Sequence, residues 1–249
     1  MSGHSKWAQI KRQKGVTDSK RGQLFTKLGK EISIAVREGG SDPQGNARLR
    51  LAVQKARDNN MPMENIERAI KRASGASDAA ALAELTLEAY GPGGSAILLQ
   101  ALTDNRNRTI SEVRNIFSRH GSNLGESGCV SWIFETKGVI HVQGVNVDAE
   151  ELALQAIDAG ADDVKVDQGA VEIHTQRQDM EAVRKTLEEN GVAISSAEIL
   201  QVPQNVVGLD EKAALQALKI LDKLEELDDV QHVFTNADFP EEVVEKYHG

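Results

Sequence analysis

The apolar positions in the first 75 residues recur with the period of a helix. Three helices are predicted there, over residues 18–37, 46–58 and 62–75. Gly39-Gly40 ends the first of them, and Pro62 suits the first turn of the third, which Gly75 ends. Because a stretch rich in Ala, Ser and Gly follows, we predict a compact helical domain over residues 1–82.

From residue 85 onwards the period changes to two, which predicts β-strands. Gly91-Pro92-Gly93-Gly94 leads into a strand and not into a helix, so it is interpreted as a hairpin turn and not as a dinucleotide-binding loop. Strands are predicted at 85–90, 95–102, 129–135, 138–142, 163–166, 170–175, 193–202 and 230–236. Helices are predicted at 109–119, 148–159, 179–189 and 210–227.

The order of these elements predicts an α+β fold. Residues 137–202 contain a complete βαββαβ order, which is that of a ferredoxin-like unit. The segments on either side of it, 83–136 and 203–249, together supply the elements of a second βαββαβ unit. We therefore predict three domains: the helical domain, a split α+β domain, and a ferredoxin-like domain inserted into the split one.

The composition is that of a globular chain, with 40% apolar and 27% charged residues among 249. No apolar run approaches the roughly 18 to 20 residues of a membrane-spanning helix, so we expect no membrane partner. The basic N-terminus is not followed by the apolar segment of a secretory signal. A single cysteine excludes an internal disulfide, which favours a cytoplasmic location.

The net charge of −9 hides a division along the chain. Residues 1–75 hold 16 lysines and arginines against 7 acids, a net charge of +9, whereas the other 174 residues hold 13 against 31, a net charge of −18. The first part is therefore expected to attract polyanions. The acidic segment 210–246 is interpreted as solvated surface or, alternatively, as a face for a basic protein.

Candidate catalytic and metal-binding residues are few. Cys129 lies at the start of a predicted apolar strand, where a buried structural cysteine is the simpler interpretation. The six histidines lack the spacing of a zinc site, and His141 and His174 are expected to be packed or solvated within strands. We predict no catalytic residue, no metal, no cofactor and no small-molecule substrate, and hence a protein that is not an enzyme.

A basic N-terminal arm is the first candidate for binding nucleic acid. Lysines can neutralise phosphates, and a tryptophan can stack on an unpaired base. The alternative is a solvated basic helix with Trp7 packed against the helical domain. The candidate residues are His4, Lys6, Trp7, Lys11, Arg12, Lys14, Lys20, Arg21 and Lys27.

Arg106 and Arg108 are the second candidate. Thr109 and Glu112 fit a capping box, which predicts that a helix begins there with both arginines beside its positive end. A helix N-terminus with guanidinium donors can bind phosphate. Alternatively, Asp104 and Glu112 neutralise the two arginines and hold the loop, and the sequence leaves both possibilities open.

Several motifs, in the same order, resemble the YebC family of bacterial proteins, which includes regulators of quorum-sensing genes and is similar to a mitochondrial translational activator of cytochrome oxidase. The chain differs from the common pattern at Ser2, Gln13 and Ser122, which puts Gln13 in doubt as a phosphate contact. The resemblance covers nearly the whole chain, and its motifs are Gly3-His4-Ser5-Lys6-Trp7, Lys20-Arg21-Gly22, Phe25-Thr26-Lys27-Leu28, Asn60-Met61-Pro62, Asn65 to Ile70, Tyr90-Gly91-Pro92-Gly93-Gly94, Thr103 to Thr109, Asn123-Leu124-Gly125, Gly128-Cys129-Val130 and Glu226-Leu227-Asp228-Asp229-Val230.

The resemblance implies a three-domain fold and a non-enzymatic, cytoplasmic regulator of gene expression. Most members of the family are described as DNA-binding transcriptional regulators, which gives the leading hypothesis. The alternative is a factor that binds ribosomal RNA on the ribosome and helps translation of difficult sequences such as proline runs. The acidic remainder would resist lying along a duplex, whereas a compact basic domain suits structured RNA as well as DNA.

Overall fold

The computed structural model describes residues 18–75, 82–143, 149–167 and 170–248. These residues form helices and mostly antiparallel sheets, so the predicted α+β class is confirmed. They fall into two compact units. The first contains the described residues up to Phe134 and from Pro203 onwards, and the second is Glu135–Val202. The predicted division into three domains, with its boundaries, stays a prediction.

The N-terminal part of the first unit is helical, as the sequence predicts. Its apolar faces meet in one core, which includes Leu28, Ile32, Leu49 and Ile66. The helices are α1 (Asp18–Gly39), α2 (Ala47–Asp58) and α3 (Met63–Gly75).

Asn46 fixes the connection between α1 and α2. Its side chain is buried and accepts a hydrogen bond from the Leu49 N–H (3.0 Å), which caps the start of α2. Its amide group donates to the carbonyl oxygens of Ala35 (2.7 Å) and Gly40 (2.8 Å) at the end of α1. Gly40 has a φ of +86°, a conformation that favours glycine and that ends the helix. One buried side chain therefore joins both helix ends.

The rest of the chain alternates strands and helices. In chain order the elements are β1 (Ala83–Tyr90), β2 (Ala96–Thr103), α4 (Arg106–Arg119), β3 (Asn123–Leu124), β4 (Phe134–Gln143), α5 (Ala149–Asp158), β5 (Asp163–Asp167), β6 (Ala170–Gln176), α6 (Met180–Glu189), β7 (Ile194–Pro203), β8 (Val207–Gly208), α7 (Glu211–Glu225), β9 (Val230–Thr235), β10 (Ala237–Asp238) and α8 (Glu241–His248). The sequence pattern did not predict β3, α8 or the short parallel pair β8–β10.

The first unit contains a sheet in the order β3-β1-β2-β9. β1 and β2 form an antiparallel hairpin around a 3₁₀ turn at Pro92–Gly94, where Gly93 has a φ of +67°, so the predicted hairpin turn is confirmed. Helices α4 and α7 pack against the strands through buried side chains such as Phe117 and Leu221. This packing positions the start of α4, which carries Arg106 and Arg108.

The second unit has the predicted order β4-α5-β5-β6-α6-β7 and a sheet in the order β5-β6-β4-β7. Buried side chains of the two helices, among them Leu152 and Val183, supply its apolar core together with Ile140 and Ile173 of the sheet. His141 and His174 lie buried on β4 and β6, which confirms that they are packed within strands.

The sheets of the two units differ in the chain order of their strands. Counted along the chain of the second unit, its strands lie in the order fourth, first, third, second. In the first unit β9, β2, β1 and β3 occupy these places in turn. The strand in the third place, β1, therefore comes first in the chain instead of after β3.

The predicted strand 129–135 is wrong. Residues 129–130 form a bend and Ser131–Ile133 a 3₁₀ turn, and the strand begins only at Phe134. The backbone cannot join the sheet there because the Glu88 carboxylate accepts the N–H groups of Gly128, Val130 and Ser131, each at 2.8 Å. Cys129 is consequently half-buried in a bend and not in an apolar strand.

Candidate nucleic-acid interface

The predicted basic arm lies mostly outside the described residues, which begin at Asp18. Lys20 falls within the first turn of α1, and Arg21 is exposed on the same helix. The arm as a binding site stays a prediction. The residues outside the described part are His4, Lys6, Trp7, Lys11, Arg12 and Lys14.

Polar side chains of α1 contact the C-terminal end of α7. Lys27 Nζ donates to the Glu225 carbonyl oxygen, the last of α7, at 2.6 Å. Lys30 Nζ donates to the Asp228 carbonyl oxygen at 3.1 Å, in the turn that follows the helix. The last carbonyls of a helix lack partners within it and carry its negative dipole end, so they are natural partners for lysines. Lys27, one of the predicted nucleic-acid contacts, is therefore half-buried and holds α1 against α7.

Asp229 is a nearly buried carboxylate at the centre of an ionic cluster in the first unit. Its side chain is 6% exposed. Oδ1 lies 2.5 Å from Lys30 Nζ, and Oδ2 lies 2.8 Å from Arg108 Nη2. The hydroxyls of Thr109 (2.7 Å) and Thr103 (3.1 Å) also contact Oδ2. The cluster connects α1, the end of β2 and the start of α4.

The surroundings of Asp229 strongly favour its charged form. Burial alone would raise the pKa of this carboxyl, but hydrogen bonds from Arg108, Lys30 and Thr109 outweigh burial and hold the pKa well below its usual range. The hydrogen bonds that Arg108 donates to Asp229 and Asp104 raise the pKa of its guanidinium group. Asp229 therefore stays ionised and holds both cations.

The start of α4 differs from the prediction at its cap. The helix begins at Arg106, and the N-cap is Asn105, whose side chain accepts the Arg108 N–H at 3.1 Å. The predicted capping box at Thr109 is wrong because the Thr109 hydroxyl is buried against Asp229 and Thr103. Both arginines lie within the first turn of the helix, whereas the sequence predicted them in the loop before it.

The two arginines have different surroundings. Arg108 is 45% exposed and pairs with Asp104 at 2.7 Å as well as with Asp229. The sequence suggested Asp104 and Glu112 as the neutralising acids, whereas the structure has Asp104 and Asp229 beside Arg108. Arg106 is exposed and has no acidic partner within the part of the chain that the structure describes. Phosphate binding by this pair stays a prediction.

Exposed cations on α2 and α3 were not singled out from the sequence. Arg50 and Arg57 are seven residues apart and share one face of α2. Arg50 contacts the Pro43 carbonyl oxygen (3.3 Å), and Arg57 contacts Met63 Sδ (3.9 Å). Lys71 and Arg72 are exposed near the end of α3. Among the described residues these four cations have no acid within ion-pair distance, so they are available to a polyanion.

Arg48 shows what a neutralised cation looks like in the same helix. Its guanidinium contacts Glu31 (3.1 Å), Glu38 (2.6 Å) and Glu84 of β1 (2.6 Å). Burial alone would lower the pKa of Arg48, but these carboxylates raise it. Arg48 therefore connects the helices to the sheet and offers no free charge.

The described residues give no support to other chemistry. Among them, no group of three or more His, Cys, Asp or Glu side chains could hold a metal ion. Burial and the nearby Glu88 raise the pKa of Cys129, which disfavours the reactive thiolate. In the described ranges, no helix is long and apolar enough to cross a membrane.

Two family models match the chain over almost its entire length. The TACO1/YebC N-terminal domain matches residues 5–76, and the TACO1/YebC second and third domain matches residues 82–237. The chain belongs to the TACO1/YebC family. The predicted resemblance is thereby confirmed.

Curated relatives in the TACO1/YebC family cover the chain fully and are named as regulators. A probable transcriptional regulatory protein of Dehalococcoides mccartyi is 61% identical over 249 residues, which is 100% of this chain and 99% of that protein. One from Halothermothrix orenii is 51% identical over 99% of this chain and 98% of its own. The crystal structure of a conserved hypothetical protein from Aquifex aeolicus matches with a TM-score of 0.84 and 48% identity, over 90% of this chain and 93% of that one.

Proposed function

We propose that this protein is a non-enzymatic, nucleic-acid-binding regulator of gene expression that acts on DNA. The names of its relatives as probable transcriptional regulatory proteins support the regulatory part of the proposal. The division of charge supports the nucleic-acid part, because residues 1–75 carry a net charge of +9 in an acidic chain. A cytoplasmic location belongs to the same proposal and rests on the sequence alone.

The observation that carries the proposal is the exposed set of cations on α2 and α3. Arg50, Arg57, Lys71 and Arg72 are exposed, and no acid among the described residues neutralises them. By contrast, Lys27, Lys30, Arg48 and Arg108 are used in contacts within the chain. Binding of phosphates by these four exposed cations would release counterions and would weaken steeply with salt.

A ribosome-associated factor is the second candidate, and the charge of the remaining chain favours it. The residues after Gly75 carry a net charge of −18, which would be repelled along a duplex. A small basic part that enters folded RNA leaves the acidic part free to contact basic proteins. Both candidates would use the same exposed cations, and they differ in the polyanion that these cations bind.

The test compares two variants of the full chain that each lose four positive charges. The first replaces Arg50, Arg57, Lys71 and Arg72 by alanine. The control replaces exposed lysines of the acidic part, namely Lys185, Lys219, Lys223 and Lys246. Binding to duplex DNA is measured over a range of salt concentrations, and sedimentation with ribosomes is measured at the same concentrations.

Because each lost phosphate contact reduces the slope of log K against log salt by about 0.9, the first variant is expected to lose up to about three to four units of slope on DNA and the control none. Equal slopes in the first variant and the wild type would contradict the assignment of DNA binding to these four cations. The second candidate would be selected if the wild-type protein binds ribosomes but not duplex DNA, and if the first variant loses ribosome binding.

A further inference from the structure

Two exposed aromatic side chains of the first unit are tied to one backbone carbonyl group. The Tyr90 hydroxyl donates to the Cys129 carbonyl oxygen at 2.8 Å, and Trp132 Nε1 donates to the same oxygen at 3.0 Å. A carbonyl oxygen has two lone pairs, so it can accept both bonds. Tyr90 is 50% exposed and Trp132 is 66% exposed. Their polar atoms are thus satisfied within the chain, while much of each ring remains open to solvent.

The loop that carries Trp132 is held in place by a buried carboxylate. Glu88 is 5% exposed and accepts the backbone N–H groups of Gly128, Val130 and Ser131. Hydrogen bonds to a charged acceptor are stronger than those between neutral groups. Since Glu88 and Tyr90 are two residues apart on β1, their side chains leave the strand on the same face. One strand therefore positions both rings.

An open groove of about 660 Å³ begins at Tyr90. Four of its 13 lining residues are glycines, which permit a ligand to approach the backbone closely. Asn123 and Lys212 also line it, and within the described residues neither side chain has a hydrogen-bonding or ionic partner. The carboxylate of Asp210, which lies in the same groove, already accepts the Ala213 N–H at 2.7 Å as a helix cap.

We propose that Tyr90 and Trp132 form a stacking platform for unpaired bases of a single-stranded nucleic acid, with the phosphate backbone passing along the groove beside Lys212. The inference rests on the nucleic-acid binding proposed above and names the part of the ligand that this surface contacts. Stacking needs only an exposed ring face, and every base offers one. Asn123 supplies an amide that can pair with the edge of a base.

The geometry favours a base over a peptide. A bound peptide presents N–H and C=O groups that need partners in the groove. The indole N–H and the phenol O–H are already used at the Cys129 carbonyl, so neither ring has a donor left for a peptide carbonyl. A base that lies flat on a ring requires neither donor. The positive charge of Lys212 attracts a charged phosphate more strongly than a neutral peptide carbonyl.

The experiment uses the full chain and two DNA probes of equal charge: a 15-nucleotide adenine strand and a 15-unit abasic strand. Because stacking on an aromatic ring is worth roughly 1 to 3 kcal/mol per base, Trp132→Ala should weaken binding of the adenine strand by about five-fold to 150-fold. Binding of the abasic strand should not change. Leu154→Ala, which also removes an exposed apolar side chain, is the matched control and should change neither.

A second measurement does not depend on removing the ring. The wild-type chain is labelled with 5-fluorotryptophan, and the fluorine resonance of Trp132 is assigned through Trp132→Phe. The adenine strand is expected to shift this resonance and the abasic strand is not. Tyr90→Phe keeps the ring but removes its bond to Cys129, so it should weaken adenine binding less than Trp132→Ala does.

The outcomes separate this inference from the proposed function. Equal affinity of Trp132→Ala and wild type for the adenine strand, with no fluorine shift, overturns the platform while nucleic-acid binding stands. A shift caused by a decaproline peptide and not by the adenine strand also overturns it and assigns the surface to peptides. A wild-type chain that binds neither strand nor duplex DNA overturns both proposals.

Discussion

At the scale of single residues, Asp229 determines how the helices meet the sheet of the first unit. Its carboxylate forms one ion pair with Lys30 of α1 and another with Arg108 of α4. A buried carboxylate that holds two cations leaves both of them unpaired when it is removed. The substitution that tests this role keeps the shape of the side chain and removes its charge.

Asp229→Asn is expected to reduce the free energy of unfolding by about 2 to 3 kcal/mol, because it leaves Lys30 and Arg108 without their charged partner. The value lies below that of a fully buried pair since Arg108 is 45% exposed. Asp104→Asn, at an exposed partner of the same arginine, is the control and should cost less than about 1 kcal/mol. Urea unfolding of both variants measures the difference, and equal costs would contradict the central role of Asp229.

The same carboxylate predicts how stability depends on pH. The pKa of Asp229 in the folded chain lies below its ordinary value of 3.8, so its contribution is complete above that value and declines as the pH falls below it. The decline from one group is at most about 1.4 kcal/mol per pH unit. The gap in unfolding free energy between wild type and Asp229→Asn should stay constant from pH 7 to 5 and narrow below pH 4. A gap that widens on acidification would be incompatible with the lowered pKa.

The sequence could not reveal this cluster, because its members lie far apart in the chain. Lys30 and Asp229 are 199 residues apart, and Arg108 and Asp229 are 121 apart. The motif Glu226 to Val230 was identified only as part of a family resemblance and had no role. The cap of α4 was missed for a related reason: Asn105 and Thr109 both suit an N-cap, and Asp229 takes the hydroxyl of Thr109.

At the scale of elements, local patterns predict most helices and strands correctly. The three N-terminal helices and the order β4-α5-β5-β6-α6-β7 follow from periodicity and from turn residues such as Gly75 and Gly191. The strand prediction for 129–135 fails although its alternating apolar residues resemble a strand. Backbone N–H groups there and at Gly128 donate to the carboxylate of Glu88, which lies 40 to 43 residues earlier in the chain. A strand pattern can thus fail where a distant side chain takes the backbone N–H groups that the sheet would need.

The segment around Cys129 should loosen when Glu88 is removed. Glu88→Ala leaves the N–H groups of Gly128, Val130 and Ser131 without their acceptor, so their amide hydrogen exchange should become at least about ten-fold faster, which corresponds to roughly 1.4 kcal/mol. Glu126→Ala removes an exposed carboxylate of the same loop and should leave the exchange rates of these amides unchanged. Unchanged exchange in Glu88→Ala would mean that the turn holds its own shape.

At the scale of the whole molecule, half of the net negative charge that follows residue 75 lies in the second unit. The second unit, Glu135–Val202, holds 14 acids and 5 lysines and arginines, so its net charge of −9 equals that of the entire chain. The rest of the chain is therefore neutral as a whole, with its positive charge in residues 1–75. The sequence predicts this division of charge directly, whereas which polyanion the basic part meets depends on contacts that no local pattern encodes.

The junction between the units permits a direct test of this division. The Gln204 N–H donates to the Ile133 carbonyl oxygen at 2.9 Å, so the chain leaves the first unit and returns to it at neighbouring positions. Residues 135–202 can therefore be replaced by a short Gly-Ser linker without stretching the first unit. Because the excision removes a net charge of −9 and none of the cations of α2 and α3, the shortened chain should bind duplex DNA at least as tightly as the full chain.

Circular dichroism and thermal unfolding check that the shortened chain folds. Its binding is measured at matched salt beside the isolated fragment 135–202, which should not bind. A folded, shortened chain that loses DNA binding would place the contact in the second unit and would contradict the assignment to the basic part.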